Sequence, residues 1–481
     1  MSRARLYATQ LALHGAGLSV IATFVAVMPV VSAGATGRIY TVAGVPPAPG
    51  ALPLGGGFRG DGGLATDARV DAAGIAAEAG GALLLVDTPN LRVRRVDQDG
   101  TITTVAGGGT EDPSAQSRRA TDVRFHFPVA ALALPDGGFL VADADAHRIL
   151  RVNRAGFISV FAGSGRRGFA GDGAPAASAQ LRFPSGIART PDGAILVADT
   201  GNQRIRRVEP NGVIRTIAGN GAFTYSGDGG PARAAAFRAP TGVAVDTRGR
   251  ILVADSENNR IRRIDQRGII STVAGSGPRG FRGDSGPAIF AQFYEPLHAV
   301  ARDRQIIVTD TGNNRIRKVG RRGRITTIAG RGQAGGFAGD GGASTRARLR
   351  TPNDAVVDPL GGILIADYDN NVVRFIASPH TRRLAFAVPR FPVVGSGCRT
   401  IRLRYSATLP AQLRLVIRHS RFQRRVVTTG KKGRHAVRIK RLRRGDYRVR
   451  IVAWSHDGQK VSHRSTLSVR GDRARRLGCG G

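Results

Sequence analysis

Two side chains able to hydrogen-bond a ligand or transfer a proton replace small residues at the beginning of a recurring short strand. That strand begins with Ser185-Gly186 and Thr241-Gly242 in two successive repeats, but with Leu297-His298 and Asn353-Asp354 in the next two. The repeating positions are those of a scaffold, whereas a position that breaks the repeat is free to serve binding. We therefore predict a ligand site formed by His298, Asp354 and Asn353, with a purely structural His298 as the alternative.

Other polar and aromatic residues stand at equivalent loop ends just before these strands. They are Phe125, His126, Tyr294 and Glu295, and we expect the last three to contribute to the same site. Only four histidines lie between 38 and 380, and one of them occupies the predicted site, so three-histidine zinc coordination is not supported. No Ser/His/Asp or Gly-Lys-Ser/Thr motif is present. The sequence thus predicts no catalytic residue, no metal and no cofactor.

The elements that must position these side chains come from an internal repeat. An apolar run ending in aspartate occurs six times at intervals of 56, 56, 56, 55 and 57 residues. The six aspartates are Asp87, Asp143, Asp199, Asp255, Asp310 and Asp367. Each is followed by a turn, a second β-rich run, a glycine-marked turn and, in the first five repeats, a third run that ends in Ala-Gly. Together with the strand before the aspartate, each repeat gives four strands, which is typical of a propeller blade.

The ring closure is also visible in the sequence. The sixth repeat has the run 372–376 but no Ala-Gly strand after it, while such a strand stands alone at 39–44, before the first repeat. We predict that this N-terminal strand completes the last blade, because closure removes the open sheet edge. The expected fold is all-β: a six-bladed β-propeller over 38–376, with inner strands around a central channel.

The repeat resembles a known family. The strings Pro-Thr-Gly-Val-Ala-Val-Asp at 240–246, Ile-Leu-Val-Ala-Asp at 251–255 and Asn-Asn-Arg-Ile-Arg-Arg at 258–263 are similar to the NHL repeat. The segments of the type Gly-Phe-x-Gly-Asp-Gly-Gly are similar to secreted bacterial NHL proteins and to the NHL portion of teneurins. Some proteins of related architecture are lyases, so the resemblance keeps a lyase or hydrolase at the channel mouth as an alternative to a binding scaffold.

The glycine-rich loops between blades carry one aspartate each, as in Gly227-Asp228-Gly229. One carboxylate per loop is too few for calcium, so we interpret these loops as architecture: a glycine turn, an aspartate near a helix start, and a proline at an early helical position. The aspartate of each Val-Ala-Asp run and the asparagine after it are expected to hold turns, and the arginine that follows is expected to snorkel or pair locally.

The N-terminus has the pattern of a secretory signal peptide over 1–35. Arg3 and Arg5 precede an uncharged apolar stretch from about 11 to 31, and small residues follow, so cleavage is expected after Ala33 or Ala35. An uncleaved membrane anchor is the alternative. We predict an extracellular or cell-surface protein.

The C-terminal part, with a linker at 377–397 and a domain at 398–481, is unusually basic. Residues 381–481 contain 27 Lys and Arg against 3 Asp, in a chain whose formal charge is +38. Apolar and arginine residues alternate as in strands with one buried face, which suggests a small immunoglobulin- or fibronectin-like β-sandwich. Cys398 and Cys479 bracket it and predict one disulfide, with two free thiols as the alternative.

The cationic face of this domain predicts attachment to an anionic cell-wall polymer, a lipid surface or extracellular DNA, without sequence-specific reading of nucleic acid. The alternatives are a merely solvated cationic surface and an arginine excess that reflects codon usage. The candidate residues are Lys431, Lys432, Arg434, Arg438, Lys440, Arg441, Arg443 and Arg444. The whole chain is expected to be a monomeric, non-enzymatic scaffold whose propeller recognises a protein or a carbohydrate.

Overall fold

The computed structural model describes residues 37–47, 57–98, 100–113, 118–332, 335–358 and 361–376, together with the backbone of eight strands between 386 and 470. The chain divides into a unit formed by Thr36–Asp97 and Thr101–Thr381 and a second unit that contains Arg382–Gly481. The first unit is a ring of six antiparallel sheets, so the predicted all-β, six-bladed propeller is confirmed.

Each blade has four strands, of which the first is innermost, and short turns connect them because Gly and Asn supply the left-handed backbone that such turns need. The strands of blades 1 to 3 are Ala72–Ala77, Leu83–Asp87, Arg92–Val96 and Ile102–Gly107; Pro128–Ala133, Phe139–Asp143, Arg148–Val152 and Phe157–Ala162, with an added Arg118–Arg119; and Pro184–Arg189, Ile195–Asp199, Arg204–Val208 and Ile214–Ala218. Those of blades 4 and 5 are Pro240–Val245, Ile251–Asp255, Arg260–Ile264 and Ile270–Ala274; and Pro296–Arg302, Gln305–Asp310, Arg315–Val319 and Ile325–Ala329.

Blade 6 takes its outer strand from the beginning of the propeller. Pro352–Val357, Ile363–Asp367 and Val372–Ile376 pair in order, and Ile39–Ala43 pairs antiparallel with the last of them. Ile39 lies opposite Ile376 and is fully buried. The predicted closure by the N-terminal strand is therefore confirmed.

Short 3₁₀ helices mark two kinds of loop. One kind precedes the inner strands of five blades, and the other follows the second strand of four blades. The first set is Ala65–Asp67, Ala176–Ser178, Ala232–Ala234, Ala288–Phe290 and Ser344–Arg346, and the second is Thr200–Asn202, Ser256–Asn258, Thr311–Asn313 and Tyr368–Asn370. The second kind lies at the end of the ring where the inner strands begin, which is the end that carries the predicted site. The first kind packs between the outer strands of neighbouring blades, as shown by the bond from the backbone N–H of Ala232 to the carbonyl oxygen of Gly268.

The hydrophobic core lies between the blades rather than within one. A typical cluster joins Leu196 and Ile205 of blade 3 to Val253 and Ile264 of blade 4, with Phe237 of the connecting loop fully buried among them. Because each blade buries its faces only against its neighbours, stability depends on the complete ring.

A buried arginine ties each inter-blade loop to its blade. Arg262 is fully buried and lies 2.6 Å from Asp228 of the glycine-rich loop and 3.3 Å from Asp255 at the end of the second strand. It also donates to the carbonyl oxygens of Ala236 and Ser226. The same arrangement recurs in blades 1, 3, 5 and 6 around Arg94, Arg206, Arg317 and Arg374.

This arrangement shows what the aspartate near the helix start does. Asp228 does not cap the short helix that follows it, because residue Pro231 occupies the N-cap and no side chain bonds there. Its Oδ2 instead accepts the backbone N–H of Thr272, while its Oδ1 holds the guanidinium of Arg262. The repeated aspartate is thus architectural, through an ion pair rather than a helix cap.

In the second unit the backbone forms a three-stranded sheet and a five-stranded sheet. The strands are Phe386–Ala387, Thr400–Ala407 and Gly433–Lys440 in the first, and Val394–Gly395, Lys460–Arg470, Gly445–Ser455, Ala411–His419 and Phe422–Gly430 in the second. The predicted sandwich, its cationic face and the linker boundaries stay predictions.

Candidate site at the channel mouth

The third residue of each inner strand decides what the mouth of the channel presents. It is Gly74, Ala130, Gly186 and Gly242 in blades 1 to 4, but His298 and Asp354 in blades 5 and 6. At Gly242 an added Cβ would lie 2.6 Å from the carbonyl oxygen of Leu297 and 2.7 Å from Cδ2 of His298. The absence of a side chain in blade 4 therefore makes room for the imidazole of blade 5.

His298 and Asp354 meet across the boundary between blades 5 and 6. Nδ1 of His298 lies 2.5 Å from Oδ1 of Asp354, and the two side chains are 20% and 14% exposed. Oδ2 of Asp354 accepts the backbone N–H of Ile75 in blade 1 at 3.0 Å. This contact path joins three consecutive blades across the point where the ring closes.

The electrostatics of this pair favour a charged imidazole. Burial lowers the pKa of His298, but the charge and hydrogen bonding of the Asp354 carboxylate, with backbone groups of Val243 and Ala355, outweigh burial. The net result is a pKa above the ordinary histidine value. At the mouth, blades 5 and 6 thus present a partly buried ion pair at a position where the other blades have Gly or Ala.

On the other side of the mouth, hydroxyl groups take the place of the ion pair. Ser185 and Thr241 donate from Oγ and Oγ1 to the backbone carbonyl of the next blade, at 2.7 Å in both cases. The carbonyl oxygen of Leu297 accepts the bond from Thr241. Leu297 itself has no hydroxyl, and Asn353 occupies the equivalent position in blade 6. The mouth is therefore asymmetric, although the ring is built from repeats.

Below the mouth the inner strands enclose a cavity of about 740 Å³. Its wall is mainly apolar, with Ile187, Val243 and Val300 among the lining residues, while His298, Asn353 and Asp354 give it one polar sector. Arg189 and Arg302 line it at the far ends of their strands. The space is adequate for a ligand of drug or disaccharide size.

The other predicted residues lie in the loops before the inner strands and are not among the described residues that line this cavity. His126 is 43% exposed, with Nδ1 3.8 Å from Oδ2 of Asp143. Glu295 has an exposed side chain, a φ of 48° and a backbone N–H that donates to Oδ1 of Asn259. Tyr294 donates its backbone N–H to Asp310, and Phe125 is fully buried.

The residues predicted to bind polyanions are not described as side chains. Arg434, Arg438 and Lys440 lie on the strand Gly433–Lys440, of which only the backbone is described. Lys431, Lys432, Arg441, Arg443 and Arg444 lie outside the described residues, as do Cys398, Cys479 and the predicted signal peptide.

Among the described residues, no helix has the length and hydropathy needed to cross a membrane. Within the same part of the chain, no three His, Cys, Asp or Glu side chains converge as a metal-ion site would require.

Six four-stranded blades around a central channel lined by the inner strands define this part of the chain as a β-propeller. The family described as "NHL repeat" matches residues 181–208, and the family described as "Teneurin NHL domain" matches residues 223–280. With six copies of the repeat in the ring, residues 37–376 belong to the NHL-repeat β-propellers, as predicted.

Two relatives are similar to about half of this chain. Mouse Teneurin-1 is 29% identical over 242 residues, which are 45% of this chain and 9% of that protein. The Arabidopsis thaliana protein SUPPRESSOR OF QUENCHING 1, chloroplastic, is 28% identical over 252 residues, 49% of this chain and 24% of that protein. The chain therefore spans a quarter or less of the length of these two relatives.

A solved structure shows the same fold at low identity. The auxiliary nutrient binding protein from Bacteroides thetaiotaomicron superposes with a TM-score of 0.51 at 15% identity, covering 70% of this chain and 76% of that one. At this identity the likeness concerns the fold alone.

Proposed function

We propose that this chain is an extracellular, non-enzymatic binding scaffold whose propeller takes a carbohydrate or peptide ligand at the channel mouth. The observation that carries the proposal is the break in the repeat: His298 and Asp354 form an ion pair where four other blades have Gly or Ala. The ion pair and Asn353 border an apolar cavity of about 740 Å³. A few polar groups at one edge of an apolar concavity are typical of small-ligand sites.

The contacts that hold the imidazole of His298 favour a role in binding over a role in catalysis. His298 faces Asp354 through Nδ1, and backbone groups of Val243 and Ala355 also interact with it. A side chain held in this way can orient a polar ligand group through the Asp354 carboxylate without itself exchanging a proton. The structural likeness to an auxiliary nutrient binding protein is compatible with this proposal.

The test is a glycan array and a peptide-display library, each probed with the full chain and three variants. Asp354→Asn preserves shape but removes the charge, so we expect affinity for a captured ligand to fall about tenfold or more, as for a lost charge-assisted hydrogen bond. His298→Gln should act in the same direction. Ser185→Ala, on the hydroxyl side of the same mouth, is the matched control, and equal binding by all four proteins would refute the site.

The enzymatic alternative keeps one supporting observation, because a histidine beside a carboxylate at 2.5 Å is also an arrangement used for proton transfer. A captured ligand incubated with the chain should be recovered unchanged by mass spectrometry. If the chain converts the ligand and His298→Gln abolishes this conversion, the protein is a lyase or hydrolase rather than a binding scaffold.

We further propose that the basic C-terminal region attaches the scaffold to an anionic surface after export. Residues 381–481 carry a net charge of +24, which supports salt-sensitive binding to polyanions. On immobilised heparin, the full chain should elute at clearly higher salt than a chain ending at residue 384. Elution of both chains at the same salt concentration would refute polyanion attachment by the C-terminal region.

The expected export has its own test. N-terminal sequencing of the secreted protein should locate cleavage after Ala33 or Ala35.

A further inference from the structure

A second cavity opens at the opposite end of the ring, between blades 4 and 5. It measures about 400 Å³ and lies where the turns after the inner strands and after the third strands come together. Its floor is apolar, with Leu252, Val273 and Val319 among the lining residues. Its charged lining consists of six arginines, Arg248, Arg250, Arg263, Arg302, Arg304 and Arg321, against Asp246 and Asp303.

The other blades show why this surplus of positive charge is unusual. Each of blades 1 to 3 has an arginine at the fourth position of its third strand, and a carboxylate of its own first turn neutralises it. Arg95 lies 2.6 Å from Glu78, Arg151 lies 2.5 Å from Asp136, and Arg207 pairs with Asp192. The arginine in these blades is thus part of a closed local ion pair.

Blade 4 lacks the carboxylate that neutralises this arginine in blades 2 and 3, while the equivalent of Glu78 in blade 1 is Asp246. The position of Asp136 and Asp192 is occupied by Arg248, so the charge is reversed. The remaining carboxylate, Asp246, is held 2.6 Å from Arg250 and by backbone N–H groups of the same turn. Arg263 consequently donates no side-chain hydrogen bond to any described residue, although it is partly buried at the cavity.

The electrostatic surroundings of Arg263 agree with this geometry. Burial and the neighbouring Arg250 guanidinium lower the pKa of Arg263, although Asp246 and Asp265 act in the opposite direction. A partly buried cation facing another cation is stabilised by any anion that enters between them.

The turn of blade 5 that borders the cavity is strained. It is shorter than the turns of the other blades and contains no glycine, so Asp303 and Arg304 adopt φ values of 51° and 63°. Such backbone persists where the surrounding structure enforces it, and strained residues concentrate at ligand sites. Here the turn places Arg302 and Arg304 along the cavity edge, opposite the arginines of blade 4.

We propose that this cavity binds an oxyanion, in the form of a phosphate or sulfate group on a ligand no larger than a disaccharide. Arginine suits this role because its planar guanidinium donates paired hydrogen bonds to such groups. Arg302 also lines the channel cavity, but this site lies at the opposite end of the ring from His298 and Asp354, so its failure would leave the proposal for those two residues unaffected.

The experiment is calorimetric titration of the full chain at low salt with two probes, inorganic pyrophosphate and a sulfated heparin disaccharide. A saturable binding event that Arg248→Asp weakens is the expected result, because polyanion binding by residues 381–481 would not respond to that substitution. The preferred probe identifies phosphate or sulfate as the natural group. Arg248→Asp restores the carboxylate of blades 2 and 3, so it should pair with Arg263 and weaken binding about tenfold or more.

Arg215→Asp is the matched control, because Arg215 is exposed on the outer strand of blade 3 and the substitution changes the net charge equally. Its affinity should stay within about twofold of the original chain, as expected for a screened distant charge. Equal loss in both variants, or the absence of any saturable binding, would overturn the proposal.

Arg304→Gly separates binding from folding. Glycine relieves the left-handed backbone at this position, so the thermal midpoint should not fall, while removal of the guanidinium should weaken probe binding severalfold. Unchanged binding in this variant together with unchanged binding in Arg248→Asp would show that the arginines serve only as a solvated surface.

Discussion

At the scale of single residues, the informative positions are those where a repeated role is abandoned. The third residue of the inner strand is Gly or Ala in four blades, and the exchange for His298 and Asp354 creates the ion pair at the mouth. At the other end, the exchange of an aspartate for Arg248 leaves Arg263 without its usual partner. Internal comparison between blades thus separates binding positions from scaffold without an alignment of relatives.

The raised pKa of His298 makes a pH-dependent stability prediction. Because the folded pKa lies above the unfolded value of about 6.5, the pair stabilises the fold fully below that pH and loses this contribution as pH rises through the folded pKa. Burial also raises the pKa of Asp367 to about 7, and this group changes stability in the same direction between about pH 4 and 7. The difference between the original chain and His298→Gln isolates the histidine.

Denaturant unfolding at a series of pH values measures that difference. The advantage of the original chain over His298→Gln should shrink steadily on going from pH 6 to pH 9. A difference that stays constant over this range would show that the pair contributes no proton-linked stability.

At the scale of the blade, the buried arginine is the element that organises the loops. Arg262 holds two carboxylates and two backbone carbonyls from three segments of chain. Although burial opposes ionisation of Asp228, its bonds to Thr272 and Arg262 lower its pKa, whereas burial raises that of Asp255 to about 6. Asp228 therefore stays ionised to lower pH than Asp255 does.

Removal of this arginine should leave the buried carboxylate of Asp255 and the partly exposed carboxylate of Asp228 without a cation. We expect Arg262→Met to reduce the free energy of unfolding by about 3–5 kcal/mol, the usual result of breaking a buried ion pair from one side. Arg215→Met, on an exposed strand position, should change it by no more than about 0.5 kcal/mol. Chemical denaturation measures both.

Blade 2 supplies a natural comparison for a second variant. It has Leu150 where the other blades have the arginine, and its preceding loop lacks the glycine-flanked aspartate. Combining Arg262→Leu with Asp228→Ala should therefore cost less than the sum of the single changes. Strict additivity would show that the two side chains do not act as a unit.

The limits of sequence interpretation have physical causes. Periodicity predicted the blades, the closure and the neighbouring positions of His298 and Asp354, because strand order in a closed ring follows chain order. The role of Arg262 was missed, because an alternating strand pattern does not show which loop folds over it, although the joint loss of both partners in blade 2 was a readable signal. Glu295 and Tyr294 do not line the cavity, although they come directly before the inner strand; at Glu295 the backbone is left-handed, which composition does not indicate.

At the scale of the whole molecule, function at either end of the channel depends on ring closure. The contact path from His298 through Asp354 to Ile75 crosses from blade 5 through blade 6 to blade 1, so it exists only when the ring is complete. The closing strand is short, but it is bonded on both sides. Ile39 exchanges backbone hydrogen bonds with Gly341 and Gly342 and pairs with Ile376.

Deletion of residues 38–44 should therefore destabilise the entire propeller rather than one edge. Loss of the fully buried Ile39 side chain alone corresponds to about 2–5 kcal/mol, and the exposed edge of Val372–Ile376 adds a site for aggregation. We expect a cooperative fall in the thermal midpoint and faster proteolysis in all six blades. A synthetic peptide of residues 37–45, added in excess, should restore the midpoint by pairing with the vacant edge, whereas the same peptide with Ile39→Asn should not. If the chain without residues 38–44 kept the stability of the original, the N-terminal strand would not stabilise the ring. The channel site at His298 would then need a different structural basis.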